Sequence, residues 1–379
     1  MLRLKTYKYR LYPNKDQIVL LNKHFGACRW VFNYALAKKI EYYTLHKKTL
    51  SRYELDKELT QLKQQPETTW LSEVNSQSLC SSLVHLESSF TRFFREKKGF
   101  PKFKSKKDNK QSCQFPQATK VDFEHNRLCI MKFREGIKCK FSRTFEGKIK
   151  TTTISKTATD KYFVSILVEE DVPAIIQLPL QIDKAIGIDL GLKSFIVTSN
   201  GNKYDNPKYL KQSLTKLERS QRLLSRKKKG SNNRNKQRHK VALIYERITN
   251  QRNDFLHKIT RQLVDDNQVT TYCLETLNIE GMLRNHKLAQ SISDASWNTF
   301  VQYLTYKANW SGKNILRIGQ FEPSSKACNR CGTINHNLTL KDRYWKCSCG
   351  KRIDRDINAA CNIRDWAFDK QNLIGLGEP

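Results

Sequence analysis

The stretch DKAIGIDLGLKSFIVTSNGN, residues 183–202, decides how the rest of the chain is interpreted. A short apolar run holds one carboxylate, Asp189, and Gly191 then predicts a tight bend before a second apolar run. The pair Asn200-Gly201 is typical of a hairpin turn. The stretch therefore predicts strand, bend, strand, turn and strand. An acid among apolar neighbours is costly unless it is paired, protonated or bound to a metal; the ordinary alternative is an Asp that caps a turn.

Acids at two other places favour the metal alternative. Glu275 lies in a second β-prone run, residues 270–278, and Asp354 and Asp356 lie at the start of a helical pattern at 353–363. Carboxylates from two strands and a helix can converge on hard divalent cations, Mg²⁺ or Mn²⁺, as an RNase H-like site requires. Two such ions, roughly 3.5–4 Å apart, stabilise the attacking and leaving oxygens of phosphodiester cleavage.

The two helix acids have different expected roles. Asp354 stands just before the helical pattern, where an Asp is usually the N-cap. Asp356 lies two residues further along and can point elsewhere. We therefore favour Asp356 as the metal ligand, and the candidate catalytic set is Asp189, Glu275 and Asp356.

The charge balance indicates a polyanionic partner. The 379 residues include 69 Lys and Arg against 36 Asp and Glu, a formal net charge of +33. Such a surplus repels itself unless a polyanion shares it, and nucleic acid is the expected partner. No apolar run reaches transmembrane length, and the N-terminus lacks the apolar core of a signal peptide. We therefore expect no membrane partner and a cytoplasmic protein.

The eleven cysteines predict a metal site rather than a disulfide framework, since their number is odd and only four are clustered. The clustered pairs are Cys328-Asn-Arg-Cys331 and Cys347-Ser-Cys349. Thiolates spaced in this way form two knuckles around a tetrahedral Zn²⁺. We predict one structural zinc held by these four residues, with no catalytic role because four thiolates leave no open position. His336 is a spare candidate that a solvent-exposed loop explains better.

The first hundred residues predict one strand followed by helices. Residues 5–12 alternate, with Lys8 and Arg10 on the polar face, which is typical of a half-buried strand. Helical periodicity then predicts about four helices, the first capped by Asp16 and the second containing Trp30.

Strand signals return from about residue 112. Alternating or β-prone runs occur at 127–133, 137–141, 148–154 and 162–168. Several short strands at this spacing suggest a small barrel or sandwich. We predict that the first strand of the chain joins it, so that the helices are an insertion.

Two basic segments are candidates for nucleic-acid contact. Residues 93–107 interleave Lys and Arg with Phe100 and Phe103, a pattern that suits base stacking and phosphate contact as well as it suits a solvated linker. Residues 219–258 hold thirteen basic residues against two acids, with a predicted hinge between two helices at 226–234. This imbalance favours polyanion contact over a solvated helix face. The candidate nucleic-acid-binding residues are Lys8, Arg10, Lys102, Lys104, Arg226, Lys227, Lys228, Lys229, Arg234, Arg238 and Arg252.

Seven short motifs, spread over essentially the whole chain, are specific as a set although each alone is weak. They are YRLYP at 9–13, GFPKF at 99–103, GIDLG at 187–191, QRNDFLHK at 251–258, SISDASW at 291–297, PSSKACNRCG at 323–332 and DRDINAA at 354–360. The set resembles the TnpB family, insertion-sequence proteins that are RNA-guided DNA endonucleases related to the type V CRISPR effectors.

The resemblance implies a multidomain α/β fold. A wedge-type β-barrel is expected at 1–13 and 112–181, with a helical recognition insert at 14–111. A RuvC (RNase H-like) nuclease domain is expected at 182–379, with a zinc ribbon inserted at 322–353.

The resemblance also implies a function. The family's three metal-binding acids fall on Asp189, Glu275 and Asp356, and its guide is an RNA typically made from the element's own 3′ end. We therefore expect an RNA-guided DNA endonuclease with two Mg²⁺ or Mn²⁺ ions per active site. Its partners would be a guide RNA and double-stranded target DNA beside a short flanking motif, near the nucleoid of a prokaryote. The oligomeric state stays open, with a monomer on the RNA favoured.

Two departures and two rival functions accompany this expectation. Thr276 stands where many relatives have an acid, and the second knuckle is C-x-C rather than C-x-x-C. The rivals are a transposase or transposase accessory protein and an RNA-guided DNA-binding regulator without nuclease activity. The sequence shows no separate site-specific DNA-binding domain, and the three acids are intact, so the endonuclease is favoured. A general RNase H or junction resolvase would not need the first half of the chain.

Overall fold

The computed structural model describes residues 1–108, 110–320, 322–339 and 341–375, with side chains described through residue 371. The chain forms two compact units, Met1–Pro173 and Ala174–Pro379. The eleven cysteines in these units are free thiols. Within the described ranges, no helix combines the length and apolarity needed to cross a bilayer.

One antiparallel sheet forms the framework of the first unit. Its strands pair in the order β2-β6-β7-β1-β5-β4-β3. The central position of β1 confirms that the first strand of the chain joins the later ones. The strands are β1 (Leu2–Tyr12), β2 (Gln111–Phe115), β3 (Lys120–Asp122), β4 (Arg127–Ile130), β5 (Phe133–Lys140), β6 (Lys148–Lys156) and β7 (Tyr162–Asp171).

The alternation in β1 is the physical reason for its central place. Tyr7, Tyr9 and Leu11 are buried on one face, in the same core as residues of β5 and β7. On the other face, Lys8 Nζ and the Arg10 guanidinium lie 4.7 Å and 5.0 Å from the ring centre of Phe163. A strand with one apolar and one polar face buries the first and leaves the second half-exposed.

The helices of the first unit are inserted between β1 and β2. They are α1 (Lys15–His46), α2 (Arg52–Leu62) and α3 (Ser76–Glu96), with a 3₁₀ turn at Thr69–Glu73. The prediction of two helices before residue 46 was wrong, because α1 is continuous and tolerates Gly26 in its interior. Its cap is Asn14, which forms a capping box with Gln17, and Asp16 lies in the first turn instead.

A mixed sheet of five strands forms the centre of the second unit. Its order is β10-β9-β8-β11-β12, with β8, β11 and β12 parallel and the β8–β9–β10 pairs antiparallel. The stretch at 183–202 therefore has the predicted strand, bend, strand and turn. The strands are β8 (Ala185–Leu190), β9 (Ser194–Thr198), β10 (Lys203–Asp205), β11 (Thr271–Glu275) and β12 (Asn314–Ile318).

Helices cover both faces of this sheet. Ile186 and Ile188 pack with apolar residues of α5 and α8, whereas Ala185 and Cys273 pack with Ile363 of α9. The helices are α4 (Tyr209–Ser225), α5 (Asn232–Asp265), α6 (Ile279–Met282), α7 (Ala289–Ala295), α8 (Trp297–Trp310) and α9 (Arg355–Gly375). A two-stranded ribbon, β13 (Tyr344–Lys346) and β14 (Arg352–Asp354), precedes α9.

The predicted α/β class and the order of elements are present in this fold. The helical pair around the basic hinge and the strand that ends at Glu275 were predicted as the structure has them. The domain bounds given above stay predictions.

Candidate active site and metal centre

Strand β8 and helix α9 approach each other closely at Gly187. A Cβ atom at this position would lie 1.8 Å from the carbonyl oxygen of Ala360, so a larger residue does not fit. Asp189 lies two residues after Gly187 and therefore on the same side of β8. Asp356 lies four residues before Ala360, one turn away on the same side of α9. The backbone contact thus brings a strand acid and a helix acid towards one place.

Glu275 joins this pair from the neighbouring strand. It ends β11, which runs parallel to β8, so Asp189 and Glu275 both lie near the carboxyl ends of their strands. Burial and then the negative charges of Asp356 and Glu275 raise the pKa of Asp189 to about 7. Burial also raises the pKa of Glu275 to about 6. Asp189 thus feels the charge of both other acids, but among the described residues only the four clustered thiols lie close enough together to share one metal ion. The catalytic roles of the three acids stay predictions.

Asp354 has the capping role that its position predicts. Its Oδ1 accepts hydrogen bonds from the backbone N–H groups of Asp356 at 3.1 Å and Ile357 at 3.2 Å. Its Oδ2 lies 2.6 Å from Lys203 Nζ. Burial would raise the pKa of Asp354, but the hydrogen bonds from Lys203 and the backbone lower it. Asp354 therefore has the N-cap role, and the assignment of Asp356 as the metal ligand stays a prediction.

Two guanidinium groups contact Asp356. Arg343 Nη1 lies 3.0 Å from Oδ2, and Arg355 Nη2 lies 2.9 Å from Oδ1. Arg343 belongs to the segment between the two cysteine pairs, so the ribbon itself reaches the acidic site. Sequence reasoning missed both arginines. The one available signal was Arg355, a basic residue enclosed by two acids in the DRDINAA motif.

The four clustered thiols form the predicted metal centre. Their sulfur atoms all lie within 4.8 Å of one another. The Sγ–Sγ distances are 3.8 Å for Cys328 and Cys349 and 3.5 Å for Cys331 and Cys347. A tetrahedron with Zn–S bonds of about 2.3 Å has edges of about 3.8 Å. The set therefore fits Zn²⁺, and His336, exposed in its loop, is not part of it.

Buried asparagines of α9 hold the first cysteine knuckle. The Nδ2 groups of Asn358 and Asn362 each donate to the carbonyl oxygen of Ala327 at 2.7 Å. Asn358 Oδ1 accepts from the backbone N–H of Asn329 at 3.0 Å, and Asn329 Nδ2 donates to Asn362 Oδ1 at 3.3 Å. Sequence reasoning missed this connection. Its signal was the spacing of two asparagines four residues apart, which places them on the same side of a helix.

The candidate nucleic-acid-binding residues of the second unit differ in their surroundings. Arg226, 228–229 and Arg238 are exposed at the turn and along α5, and Lys227 is half-buried. The Arg234 guanidinium donates to the carbonyl oxygens of Leu224 and Lys227 at 2.8 Å and 3.0 Å, so it closes the α4–α5 turn.

Arg252 forms an ion pair within the protein. Its Nη2 lies 2.6 Å from Asp294 Oδ1, while Asp294 Oδ2 accepts from the backbone N–H of Leu210 at 3.0 Å. This ion pair accounts for Arg252 without nucleic acid, and a nucleic-acid contact by this residue stays a prediction.

The candidates of the first unit also differ in their surroundings. Lys8 and Arg10 lie against Phe163, and Lys102 is exposed. Lys104 Nζ lies 3.9 Å from the ring centre of Phe32, and burial lowers the pKa of its ammonium group. The segment around Lys104 is fixed because its N–H and C=O both bond to the side chain of Asn33, at 2.7 Å and 2.9 Å.

Three family models match the chain. The model described as "Probable transposase" matches residues 165–286, the "Cas12f1-like, TNB domain" matches residues 297–363, and a "Helix-turn-helix domain" matches residues 1–48. In this structure the last segment is β1 followed by the single long helix α1. The TNB match covers the cysteine cluster and the first turns of α9.

Two relatives match nearly the full length. The "Putative RNA-guided DNA endonuclease" of Streptomyces pristinaespiralis is 38% identical, over 95% of this chain and 88% of the relative. The "Putative RNA-guided DNA endonuclease InsQ" of Escherichia coli K12 is 30% identical, over 96% and 92%.

A solved structure gives the fold class. The Cas12f1 chain in a complex with sgRNA and target DNA superposes with a TM-score of 0.57 at 14% identity, over 96% of this chain and 99% of that chain. The architecture is therefore that of the Cas12f1-like proteins. The chain belongs to the TnpB family, as its full-length relatives show.

Proposed function

We propose that the chain is a metal-dependent, RNA-guided DNA endonuclease that cleaves target DNA beside a short flanking motif. The observation that carries the proposal is the close approach of β8 and α9 at Gly187, which brings Asp189 towards Asp356, with Glu275 at the end of the adjacent parallel strand. Relatives named as RNA-guided DNA endonucleases, which match at least 95% of this chain, support it.

The charge of the site supports a divalent metal. Burial and then the negative charges of Asp356 and Glu275 raise the pKa of Asp189 to about 7, although the charges of Arg355 and Arg343 act in the opposite direction. Carboxylate oxygens are the ligands that Mg²⁺ and Mn²⁺ prefer. Asp189, Glu275 and Asp356 would hold the metal. Two ions bound there would stabilise the attacking and leaving oxygens of the cleaved phosphodiester.

The chain's own residues prepare this site. The Asp354 carboxylate caps α9 and keeps Asp356 in the first turn. Arg343 and Arg355 balance the charge of Asp356 and restrict its side chain. Thr276, at the position where many relatives have an acid, donates to the carbonyl oxygen of Ile318 at 2.8 Å and ties the end of β11 to β12. One structural Zn²⁺ bound by the four thiols would fix the two knuckles. It would thereby also hold the segment between them, to which Arg343 belongs.

The net charge of the chain supports nucleic-acid partners. A net charge of +33 is more than a short duplex needs, while a guide RNA paired with DNA presents far more phosphate. Base pairing with the guide would supply sequence specificity, and the protein would recognise backbone, shape and the flanking motif. We propose that the protein acts in the cytoplasm of a prokaryote, on the DNA of the nucleoid.

A transposase accessory protein is the second candidate. The observation that favours it is the matching family model described as "Probable transposase", at residues 165–286. A regulator without nuclease activity is less well supported, because the three acids are present and coupled.

A retargeting assay tests the proposal. The purified protein should retain a structured RNA at moderate salt. With Mg²⁺, a redesigned 3′ guide segment and randomised flanking DNA, it should cut the newly matched sequence and leave the former target intact. Protein stripped of RNA should cut no duplex specifically.

The same assay identifies the rival functions. Cleavage at one fixed sequence, whatever the guide, would replace the proposal by the transposase interpretation. Guided binding without cleavage in Mg²⁺ and in Mn²⁺ would replace it by the regulator interpretation.

A further inference from the structure

One cavity in the first unit has no role in the proposed chemistry. It has a volume of about 680 Å³ and lies between α1 and the 3₁₀ turn that precedes α3. A packing defect in a protein interior is rarely larger than a few water molecules, whereas pockets for small ligands occupy roughly 300–1,000 Å³. The cavity therefore has the size of a binding site.

Aromatic rings line this cavity. Trp30 stacks on Tyr34 with ring centres 5.0 Å apart, and Trp70 meets Trp30 edge-on at 5.6 Å. Trp30 and Tyr34 pack against the core of the unit. Trp70 does not belong to that core and is 37% exposed. A large indole left at the wall of an open cavity offers a surface on which a planar ligand can stack.

The same cavity carries an unbalanced positive charge. Lys23 lies 2.5 Å from Glu73, so these two lining residues balance each other. Arg29 forms no ion pair with the residues that the structure describes. Arg29 also lines a second cavity of about 210 Å³, and Lys104 and Lys110 are further cations in that cavity. Asp108 also lines that second cavity, where its one negative charge stands against the three positive charges of Arg29, Lys104 and Lys110.

We propose that this cavity binds one unpaired nucleotide, with the base stacked on Trp70 and a neighbouring phosphate at Arg29. A planar aromatic group next to an anion is the chemistry that an indole and a guanidinium recognise together. The nucleotide can come from the RNA or from a DNA strand, and the experiment distinguishes the two. The choice of a nucleotide as ligand rests on the proposed function.

Gly26 allows the cavity to be blocked without damage to the fold. This residue lies in the interior of α1 and lines the cavity. An added Cβ would meet only the Arg29 guanidinium, at 4.0 Å. Gly26→Ala and Gly26→Leu should therefore both fold, because each replaces a glycine inside a helix by a better helix former. Only the leucine side chain extends into the cavity.

The binding experiment uses the full chain in EDTA, so that cleavage plays no part. Short RNA, single-stranded DNA and duplex DNA are the probes. Gly26→Leu should bind at least one of the single strands more weakly than Gly26→Ala does. Trp70→Ala should lose about 5- to 150-fold in affinity for that strand, the range of one base stack, while Trp70→Phe retains most of it. Tyr43→Ala, an exposed aromatic of α1 outside the cavity, should bind as the unchanged chain does.

Salt dependence tests the phosphate contact. Arg29→Gln should reduce the slope of log K against log salt by about 0.7 for a single strand. Thermal midpoints no lower than that of the unchanged chain would show that the fold of these variants is intact.

Crosslinking identifies the source of the nucleotide. RNA or DNA containing 5-iodouracil should crosslink under ultraviolet light to the peptide that contains Trp70, and duplex DNA should not. A crosslink from RNA alone, or from DNA alone, assigns the source. The proposal is overturned if Gly26→Leu and Gly26→Ala bind every probe equally and no crosslink maps to Trp30 or Trp70. Crosslinks at Trp70 in a protein that fails the retargeting assay would support the nucleotide-binding cavity and contradict the proposed guided nuclease activity.

Discussion

Asp189 lies where two other acids oppose its ionisation. Its pKa in the folded chain, about 7, is above the value of about 3.9 for an Asp in an unfolded chain. A raised pKa means that the folded state holds a proton that the unfolded state has released. The group therefore contributes stability below about pH 4, and this contribution is lost as the pH rises through 7. Glu275, with a pKa of about 6, acts in the same direction.

We expect the metal-free chain to lose thermal stability between pH 5 and pH 8. The Asp189→Asn variant removes the largest shift and should lose less over the same range. Mg²⁺ added at pH 8 should restore stability to the unchanged chain more than to the variant, because the cation stabilises the ionised acids. Calorimetry at several pH values measures this. Equal pH dependence in both proteins would contradict it.

The two acids at the start of α9 should differ in their effect on cleavage. Asp356→Ala should abolish cleavage and leave nucleic-acid binding largely intact. Asp354→Ala removes an N-cap, which costs about 1 kcal/mol, and should retain measurable cleavage. Adding Asp189→Ala to Asp356→Ala should change nothing further, because ligands of a shared site act as a unit. An active Asp356→Ala with an inactive Asp354→Ala would reverse the assignment.

At the level of elements, the contact between β8 and α9 sets the geometry of the site. Gly187→Ala places a Cβ against the carbonyl oxygen of Ala360, which α9 cannot avoid without moving. We expect about 2–3 kcal/mol of destabilisation and a loss of cleavage larger than stability alone explains. Gly99→Ala is the matched control, since nothing lies within 4 Å of its added Cβ. Denaturant unfolding and the cleavage rate of the folded fraction measure both effects.

The asparagine connection between α9 and the first knuckle should affect zinc retention. Asn358 is only 5% exposed, and its replacement by Ala leaves the carbonyl oxygen of Ala327 and the N–H of Asn329 with fewer partners. We expect a loss of about 2–3 kcal/mol and faster zinc release to a coloured chelator. Asn337→Ala, in an exposed loop of the same ribbon, should release zinc at the original rate. Equal rates for both variants would show that the knuckle does not depend on α9.

At the scale of the molecule, the α4–α5 pair carries the largest local excess of charge. Residues 219–258 include thirteen basic residues and two acids. Replacing Arg226, Lys228 and Arg238 by Gln should weaken binding of RNA and DNA of any sequence. The slope of log K against log salt should fall by about 0.7–0.9 for each phosphate that the protein no longer neutralises. Replacing Arg234 should instead destabilise the turn, because its guanidinium holds two carbonyl oxygens there.

Local patterns predicted most elements of both units, and interactions between residues distant in sequence account for what they missed. Alternation identified β1 because Tyr7, Tyr9 and Leu11 must share one face, and paired thiols identified the ribbon. No local pattern shows that Gly187 meets Ala360 across 173 residues. The asparagine connection was missed because it depends on which backbone atoms a buried amide reaches. Two helices were predicted in place of the continuous α1, because a single glycine such as Gly26 weakens a helix without ending it.

Four of the seven scattered cysteines are buried, whereas Cys80, Cys129 and Cys361 are half-buried, and this difference makes the chain selective towards alkylating reagents. Burial raises the pKa of Cys28 to about 11 and that of Cys139 and Cys273 to about 12, so these thiols stay protonated and out of reach. Cys331 and Cys349 are exposed in the ribbon. A maleimide dye added to the native protein should therefore modify ribbon sulfurs mainly when their metal has been removed. The increase in dye uptake above that of the zinc-loaded protein thus becomes an optical measure of the fraction of molecules that lack zinc.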